Sequence, residues 1–576
     1  MMLWNLLRSA LRPRATADRA VKRSLALRRE GRWRDAEQLL RNTAVQFPRD
    51  AVVATNLAVV LLEQDSGDDG VAWLQRALEC DPGFAPAHYN LANAMRASGR
   101  RDLALPHYQS AVDGGSDCAP AREELLHCLL ETCDWDRADL QAGALRAMIA
   151  RAPAAHWMRC VSPLTALYLG LEPRLRKQVA AYHAAECARD VLPLAPSTAA
   201  RSAVKNARLR IGYLSRDFRD HPVGHLLANV FAMHDRARVE VHAFSYGRAD
   251  GSTYRQSITA GVDHFVDAHG QTDAELAASI ARAGIQVLID LAGHTTGNRL
   301  AVLARRPAPV QAHYLGFPAT TGASYIDYFI TDRVATPPEL CGEFTEKPAY
   351  LPHCYMVSDG ADALSGAGAW SSGEQFPAAA TVFCNFNNAS RITRENFHAW
   401  MAILHAVPHG VLWLQGAGTL TVVNLRRQAE VRGIDPARLF FAARVPAKPQ
   451  HLARLGRADL VLDTLGWHNG HSSTSDALWA GVPVLTAPAE HFAGRVAASL
   501  VTAAGLPELV KRDRDEYVQT AIELGNERTQ LAALKRKLAD NRRTAPFFDT
   551  QLIVRDLEAA YADMWNDYRS AAFTPP

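Results

Sequence analysis

Small and large residues recur at a fixed interval of 34 residues in the first quarter of the chain. Gly31, Asp65 and Gly99 mark successive turns. Between the turns, four sets of small or large residues repeat at the same interval: Ala36, Gly70 and Ala104; Thr43, Ala77 and Ala111; Leu27, Leu61 and Met95; and Leu40, Leu74 and Tyr108. Small residues let two helices approach and large residues fill the space between them, so the pattern predicts stacked helix pairs from about residue 15 to residue 133.

The interval and the order of small and large positions are typical of tetratricopeptide repeats, with three regular units and a decaying fourth at Leu125 to Leu129. A generic helical bundle is the alternative interpretation. We therefore predict an all-α solenoid over residues 1–133. Its concave groove would bind peptides or protein partners, without chemistry of its own.

Residues 134–190 keep a helical pattern but lose this register, and the stretch 191–207 is rich in Pro, Ala and Ser. We predict that residues 134–207 form a helical connector and a linker, which pack the repeats onto the rest of the chain.

Beyond residue 208 the pattern changes to apolar strands that alternate with helices, the order that is typical of doubly wound parallel sheets. A Gly/Ala/Ser-rich segment, 359–375, separates two series, so we predict two Rossmann-like lobes over 208–375 and 376–576, with a cleft facing the carboxyl ends of both sets of strands. A final helix at about 551–570 is expected to return to the first lobe. The predicted strands are 209–215, 239–247, 285–293, 310–318, 325–332, 381–386, 410–416, 438–445, 460–464 and 482–488.

The composition argues against a nucleic-acid-binding protein and against a membrane-spanning one. The 63 Lys and Arg residues nearly balance the 60 Asp and Glu residues, and no basic block predicts binding to nucleic acid. The nine cysteines include no C-x-x-C pair and indicate reduced thiols, so we expect a cytoplasmic protein. No run of eighteen apolar residues occurs, which argues against a membrane span.

The stretch NGHSSTSDALWAGVP (469–483) carries the clearest candidate chemistry. It follows a predicted strand and begins a short helix, so the free N–H groups of the first turn and the hydroxyls of Ser472 and Ser473 would suit a phosphate. The alternative is ordinary helix capping by serine.

Two other motifs give little support to a functional site, and a third motif is absent. LQGAG (414–418) lacks the third glycine and the acidic residue of a dinucleotide fingerprint. His221 and His225 stand four residues apart, but Pro222 follows His221 and no glutamate lies between the two histidines, so a zinc site is not predicted. No G-x-S-x-G elbow indicates a hydrolase. We expect neither a metal nor another cofactor.

Six long motifs, in order, resemble the protein O-linked N-acetylglucosamine transferases, here of the bacterial type with a short tetratricopeptide array. The resemblance runs from about residue 150 to residue 540 and extends to the repeats. The motifs are LRIGYLSRDFRDHPVGHLL (209–227), RPAPVQAHYLGFPATTGASYIDYFITD (306–332), LPHCYMVSD (351–359), FCNFNNASRIT (383–393), VPAKPQHLARLGRADLVLDT (445–464) and NGHSSTSDALWAGVP.

This resemblance implies an inverting, metal-independent glycosyltransferase of the GT-B fold that moves GlcNAc from UDP-GlcNAc to Ser or Thr hydroxyls of proteins. The residues implied to contact uracil and ribose are Ala447, Lys448, His451, Arg454 and Asp476. Those implied to contact the diphosphate are His471, Ser472, Ser473, Asn388 and Arg391. Leu315, Gly316 and Pro318 would line the sugar pocket, and His221 is the candidate catalytic base.

These roles suit the chemistry. The departing UDP gains negative charge, which the helix terminus and the cations Arg391 and Lys448 would stabilise in the absence of a metal. A neutral imidazole at His221 would accept the proton of the attacking hydroxyl, unless a donor phosphate oxygen relays it. A purely structural or donor-binding role for His221 is the alternative.

The chain departs from the family pattern at three points. Arg391 stands where members usually carry lysine, and HSS replaces the HTT of the animal enzymes. His294 stands where the animal enzymes carry tyrosine, but SPINDLY-type fucosyltransferases and many bacterial relatives share this histidine, so it excludes neither donor. Two other functions stay open: the same fold with GDP-fucose or UDP-glucose as donor, or a tetratricopeptide scaffold whose transferase domain binds UDP but is inactive. The His221/His225 pair and Asn469–His471 argue against the fucosyl donor.

Overall fold

The computed structural model of the chain divides into two compact units, Met1–Val161 with Gly418–Thr421, and Ser162–Ala417 with Val422–Pro576. The residues that it describes are 2–64, 66–114, 119–194, 208–358, 360, 373–416, 418–445 and 447–573. The boundary at Val161 falls inside the stretch predicted as a connector. Most of the predicted linker 191–207 and most of the predicted loop 359–375 lie outside the described residues.

The described part of the first unit is helical, and consecutive helices pack against each other. The helices are α1 (Met2–Arg29), α2 (Trp33–Gln46), α3 (Ala51–Glu63), α4 (Gly67–Cys80), α5 (Ala85–Ala97), α6 (Arg101–Asp113), α7 (Ala119–Glu131), α8 (Trp135–Arg151) and α9 (Ala154–Trp157).

Positions that recur every 34 residues are buried between helices, which explains why small residues occupy them. Ala36, Ala77 and Ala104 are completely buried where helices approach. At Gly70 a Cβ atom would lie 2.6 Å from Leu62 Cγ, so no larger residue fits without a shift. The predicted repeat solenoid is therefore confirmed as helical repeats packed through these small positions.

The first lobe of the second unit contains a parallel sheet in the order β3-β2-β1-β4-β5-β6-β7. Its strands are β1 (Leu209–Ser215), β2 (Val239–Ser245), β3 (His264–Asp267), β4 (Val287–Asp290), β5 (Val310–His313), β6 (Tyr328–Thr331) and β7 (Lys347–Tyr350). Its helices are α10 (Pro163–Tyr168), α11 (Pro173–Cys187), α12 (Pro222–Leu227), α13 (Thr253–Gly261), α14 (Asp273–Arg282) and α15 (Leu300–Ala304).

The second lobe contains a smaller parallel sheet in the order β10-β9-β8-β11-β12. Its strands are β8 (Thr381–Asn385), β9 (Gly410–Gln415), β10 (Leu439–Ala442), β11 (Leu460–Leu462) and β12 (Val484–Leu485). The helices that follow are α16 (Arg394–Ala406), α17 (Thr419–Glu430), α18 (Lys448–Leu455), α19 (Ser472–Trp479), α20 (Val496–Ala503), α21 (Arg514–Asn526), α22 (Arg528–Asn541) and α23 (Thr550–Phe573).

Every predicted strand is present, so the doubly wound α/β fold is confirmed, although most strands are shorter than predicted. The sequence analysis missed β3 and β7. Both strands have four residues, none of them buried, and β7 contains Pro348. Such short edge strands lack the apolar run that marks an internal strand.

Two helical segments cover the first lobe. Tyr325 donates a hydrogen bond from its hydroxyl to the carbonyl of Ala184 in α11, at 3.0 Å. The final helix α23 returns to this lobe as expected: the Glu558 carboxylate lies 2.9 Å from His234 Nδ1, and the Tyr561 and Tyr213 hydroxyls are 3.0 Å apart.

The two lobes also contact each other directly. Trp479 Nε1 donates to Ser358 Oγ at 3.1 Å, and Arg495 Nε donates to the carbonyl of Val334 at 3.0 Å. Within the described ranges, none of the helices combines the length and the apolar content needed to span a lipid bilayer.

Candidate active site

A buried carboxylate organises the turn that precedes α19. Asp463 follows β11 directly, and its Oδ1 accepts hydrogen bonds from the backbone N–H of Thr464 at 2.9 Å and of Gly470 at 2.8 Å. Its Oδ2 accepts from the hydroxyl of Thr486 at 2.7 Å. Burial raises the pKa of Asp463 to about 6, although these hydrogen bonds act in the opposite direction. The carboxylate therefore fixes the loop at the carboxyl end of its strand.

Gly470 and Ser473 bring this turn against β8. A Cβ at residue 470 would lie 2.9 Å from Asp463 Oδ1, so only glycine allows this close approach. The hydroxyl of Ser473 donates to Asn387 Oδ1, and Asn387 Nδ2 donates to the hydroxyl of Thr464 at 3.2 Å. The network therefore joins the two strand ends that form this wall of the site.

The N-terminus of α19 carries no side-chain cap. His471 is the N-cap residue, and within the described residues no side chain accepts a hydrogen bond from the first-turn N–H groups. An uncapped first turn leaves backbone donors and the positive end of the helix dipole available to an anion. This observation favours the phosphate interpretation of 469–483 over ordinary serine capping.

Arg391 supplies a cation at the same place. Its Nη1 donates to the carbonyl of Asn469 at 3.0 Å and lies 3.4 Å from Asn387 Oδ1. In the part of the chain that the structure describes, no carboxylate lies within ion-pair distance of this guanidinium. Burial lowers the pKa of Arg391 to about 10, opposed by Asp463, so the group is still charged at neutral pH. A half-buried guanidinium without a paired carboxylate is a strong anion-binding group.

His471 is neutral, and its Nε2–H points to a backbone carbonyl. It therefore brings no positive charge to a phosphate. Its Nε2 lies 3.1 Å from the carbonyl of Ala493, which can only accept a hydrogen bond, so Nε2 carries the proton. Burial and then the charge of Arg391 lower the pKa of His471 to about 3. Its Nδ1 is consequently a hydrogen-bond acceptor in the neutral ring, and Arg391 brings the positive charge.

A second group of predicted residues gathers around Asp476. Lys448 Nζ lies 2.9 Å from Asp476 Oδ1, and both side chains are largely buried, at 10% and 16% exposure. His451 Nε2 lies 3.7 Å from Asp476 Oδ2, while its Nδ1 accepts from Arg454. Ala447 is the N-cap residue of α18, directly before Lys448. The five residues implied to contact uracil and ribose are therefore brought together.

The amino-terminal lobe contributes His221 as the N-cap residue of α12. Its Nδ1 accepts a hydrogen bond from the backbone N–H of Val223 at 3.3 Å and lies 3.8 Å from an Asp217 carboxylate oxygen. Burial lowers the pKa of His221, although Asp217 opposes the change, so the ring is neutral at pH 7. In this tautomer the proton resides on Nε2, which makes Nε2 a donor until the cap hydrogen bond is broken.

His225 shows that the two lobes face each other at this site. Its Nε2 lies 2.6 Å from Asp220 Oδ1. Burial is the main cause that lowers the pKa of His225, and the charge of Lys448 in the other lobe lowers it further, whereas Asp220 and Asp476 act in the opposite direction. The ring of Tyr254 packs against His225, with centroids 4.3 Å apart.

The predicted sugar-pocket residues form a strained turn after β5. Leu315 has a φ of 64°, a conformation that is rare for a residue with a branched side chain. A Cβ at Gly316 would collide with the carbonyl of Leu291, so glycine is required there. Pro318 is buried. Strain of this kind persists where the surrounding structure holds the turn, and it is concentrated at functional sites.

Buried polar groups that the sequence analysis did not select hold this turn. His313 Nε2 donates to the carbonyl of Phe317 at 2.8 Å, and its Nδ1 faces Asp290 at 3.5 Å. Burial would lower the pKa of His313, but Asp290 raises it above its usual value. The Glu346 carboxylate accepts from Thr320 and Thr321. Asp290 and His313 end buried strands, and Asp463 directly follows one. A polar residue at the carboxyl end of a buried strand is the sequence signal that could have identified all three.

Asn388, which was implied to contact the diphosphate, lies outside the hydrogen bond that joins the adjacent Asn387 to Ser473. Asn388 is exposed, and its Oδ1 accepts from the backbone N–H of Ser390 at 3.0 Å. Asn387, which is buried, contacts Ser473 instead. Ser472 begins α19 beside the uncapped N–H groups.

These features define the class of protein. Two doubly wound parallel lobes contact each other, which is the GT-B arrangement of glycosyltransferases; the second lobe contributes an uncapped helix terminus beside the Arg391 guanidinium, and the first contributes the neutral His221.

The chain belongs to glycosyl transferase family 41, whose model matches residues 132–366 and 371–557, and a tetratricopeptide repeat model matches residues 27–95. The resemblance to the O-GlcNAc transferases is thereby confirmed.

The relatives agree with this family. The chain is 33% identical over 455 residues to the probable UDP-N-acetylglucosamine–peptide N-acetylglucosaminyltransferase SEC of Arabidopsis thaliana, covering 77% of this chain and 46% of the relative. It is 30% identical over 556 residues to the UDP-N-acetylglucosamine–peptide N-acetylglucosaminyltransferase of Caenorhabditis elegans, covering 76% and 48%. This chain therefore spans about half the length of these relatives.

A solved structure extends the likeness to almost the whole chain. A mutant of the Thermobaculum terrenum O-GlcNAc transferase has 30% sequence identity and a TM-score of 0.69, and the match covers 97% of this chain and 99% of that one.

Proposed function

We propose that this chain is an inverting, metal-independent glycosyltransferase that moves GlcNAc from UDP-GlcNAc to Ser or Thr hydroxyls of proteins. One observation carries the proposal: the uncapped N-terminus of α19 stands beside the Arg391 guanidinium, which has no carboxylate partner among the described residues. The names of the plant, nematode and bacterial relatives support the donor and the acceptor class.

The donor would lie along the second lobe. Uracil and ribose would contact the group around Lys448 and Asp476, and the diphosphate would contact Ser472, Ser473 and Arg391. The helix terminus and the guanidinium meet the negative charge that grows on the leaving phosphate oxygen, a role that a divalent metal fills in other transferases. Since Lys448 already pairs with Asp476 at 2.9 Å, Arg391 is the main source of uncompensated positive charge.

The reaction that follows is a single displacement. The acceptor hydroxyl forms a bond to the anomeric carbon while the bond from that carbon to the UDP oxygen breaks, so the configuration inverts and UDP leaves with the electron pair. The hydroxyl proton passes to a base. His221 serves as this base only when its Nε2 is unprotonated, which requires the ring to give up the hydrogen bond from Val223; otherwise its Nε2–H contacts the donor and a phosphate oxygen takes the proton.

Protein acceptors would bind the groove of the repeat unit. Deleting residues 1–133 is expected to leave donor hydrolysis intact and to abolish transfer to protein, because the groove holds long acceptors rather than the sugar. Full transfer to protein by a folded truncation would contradict this role.

The decisive experiment compares donors. The purified chain is incubated with radiolabelled UDP-GlcNAc, UDP-glucose and GDP-fucose, with and without a chelator, and bound, hydrolysed and protein-linked sugar are counted. We expect UDP-GlcNAc to be turned over and the chelator to have no effect. Preference for another donor would reassign the sugar, and binding of UDP without turnover would indicate a scaffold. Loss of activity in a chelator-treated chain that remains folded would exclude the metal-independent mechanism.

A further inference from the structure

Two histidines and a glutamate meet at the outer edge of the first sheet. β2 and β3 run parallel, and their register pairs His242 directly with His264. Glu240 precedes His242 by two residues and therefore lies on the same face of the sheet. The Nε2 atoms of both histidines lie 3.2 Å from Glu240 Oε1, and the two imidazole rings are stacked with centroids 4.4 Å apart.

The spacing of these atoms suits a metal ion. Bonds of about 2.0–2.2 Å at tetrahedral angles separate two ligand atoms by about 3.3–3.6 Å. The two measured separations of 3.2 Å are close to that range, and all three ligand atoms lie within 4.8 Å of one another. Within the described ranges, no other group of three His, Cys, Asp or Glu side chains has this geometry.

The surroundings orient the ligands. Glu240 Oε2 faces Arg208 at 3.3 Å and Arg210 at 3.9 Å, which leaves Oε1 to the histidines. Arg208 also lies 3.2 Å from an Asp263 carboxylate oxygen, which offsets part of its charge. The His242 side chain is 7% exposed and that of His264 is 55% exposed, so the cluster is open to solvent on one side, where an ion can enter and a water can complete the coordination.

We propose that Glu240, His242 and His264 bind one divalent transition-metal ion of the Zn²⁺ type. Two imidazoles and one carboxylate suit Zn²⁺ or Co²⁺, whereas Mg²⁺ prefers a full set of oxygen ligands. β3 is an edge strand of four residues, so the ion would tie this edge to β2. Glu240 and His264 lie near the amino-terminal ends of their strands and His242 at the middle of β2, whereas the donor-binding residues follow carboxyl ends; the ion would therefore stabilise the fold without entering the reaction.

The test uses the full-length chain with its affinity tag removed and all metal extracted by a chelator. Zn²⁺ and Co²⁺ are titrated by calorimetry and absorption spectroscopy, and the melting temperature is measured with and without Zn²⁺. We expect one ion per chain, a tetrahedral Co²⁺ spectrum without the charge-transfer band of a thiolate ligand, and a higher melting temperature with Zn²⁺. Mg²⁺ should produce none of these effects.

Three variants locate the ion. His264→Ala and Glu240→Gln should each weaken Zn²⁺ binding by about 100-fold or more and abolish the rise in melting temperature, since each removes one of three protein ligands. His269→Ala is the matched control, because it removes an exposed histidine that follows β3 and does not belong to the cluster. Wild-type affinity in either cluster variant, a thiolate band, or no bound ion in the wild-type chain would overturn the proposal.

Discussion

The two walls of the cleft are built by different means. On the second lobe, the turn 463–473 is held by hydrogen bonds among side chains and backbone, centred on the buried Asp463. On the first lobe, hydrogen bonds of His313 and Glu346 hold the strained turn at Leu315. The side chain of His221, in contrast, has a single hydrogen bond among the described residues, at 3.3 Å. A densely bonded wall is pre-organised for a fixed charged ligand, whereas a weakly held imidazole can reorient during a reaction.

This difference separates donor binding from proton transfer. Substitutions in the second lobe should alter UDP affinity or stabilisation of the leaving group, and substitution of His221 in the first lobe should alter turnover more than UDP affinity. Each prediction below tests one side of this division, beginning with the largest expected effect.

The largest effect is expected at Arg391. Arg391→Ala removes the cation beside α19, which has no carboxylate partner among the described residues. It should lower turnover by about 10²- to 10³-fold, more than it lowers UDP affinity, because charge on the leaving oxygen grows as the bond breaks. Arg391→Lys keeps the charge and should retain activity. Steady-state kinetics with UDP-GlcNAc and calorimetry with UDP measure both quantities. Wild-type turnover in the alanine variant would show that another cation carries this role.

His221 tests the first lobe. His221→Ala should lower turnover by about 10²-fold or more with UDP affinity little changed, since a positioned acid or base contributes an effect of this size.

His221→Asn is the matched variant, because the Asn side-chain oxygen can still accept the N–H of Val223 and cap α12. If His221 takes part in the chemistry, both variants lose turnover equally. Normal turnover in the Asn variant would reduce His221 to a helix cap, and a parallel loss of UDP affinity would make it a donor-binding residue.

Lys448 tests the nucleotide end of the second lobe. Lys448→Ala should weaken UDP binding by about 1–3 kcal/mol, because a charge-assisted hydrogen bond is lost and Asp476 is left without its cation. The double variant Lys448→Ala/Asp476→Asn separates these two causes. If it binds UDP more tightly than Lys448→Ala does, the gain in affinity measures the part of the loss that was due to the uncompensated Asp476 carboxylate. Calorimetry that finds wild-type UDP affinity in Lys448→Ala would remove this residue from the donor site.

The smallest effect concerns pH and His471. Its pKa is about 3 in the folded chain against a reference value of 6.5, so the unfolded state binds more protons between these values and the free energy of unfolding falls as the pH drops below 6.5. The stability due to this group is complete above pH 6.5.

Between pH 7 and pH 5.5 we expect protonation of His471 in the unfolded state to lower the free energy of unfolding by about 1 kcal/mol. His471→Gln keeps a donor for the carbonyl of Ala493 but does not titrate, so its denaturant unfolding curves should depend less on pH over this range. Identical pH dependence in the two proteins would contradict a buried, neutral His471.

Within the second lobe, the sequence predicted some contacts and missed others for a physical reason. Ser472 and Ser473 were predicted to lie at a helix start because a strand followed by Gly, His and Ser is a local pattern. Asn388 was selected only through the resemblance to the transferase family, and the structure brings the adjacent Asn387 to Ser473. The exact contact depends on how β8 and β11 are paired, and residues 385 and 462 are far apart in the sequence.

The sequence by itself determined the helical repeats and the ten predicted strands. Both follow from periodicity, which acts over a few residues. Tertiary structure alone determined the partner and tautomer of His221, the contact of Arg391 with the Asn469 carbonyl and the meeting of His242 with His264. Hydrogen bonds and charge pairs join residues that only the packed fold brings together, so no local pattern specifies them.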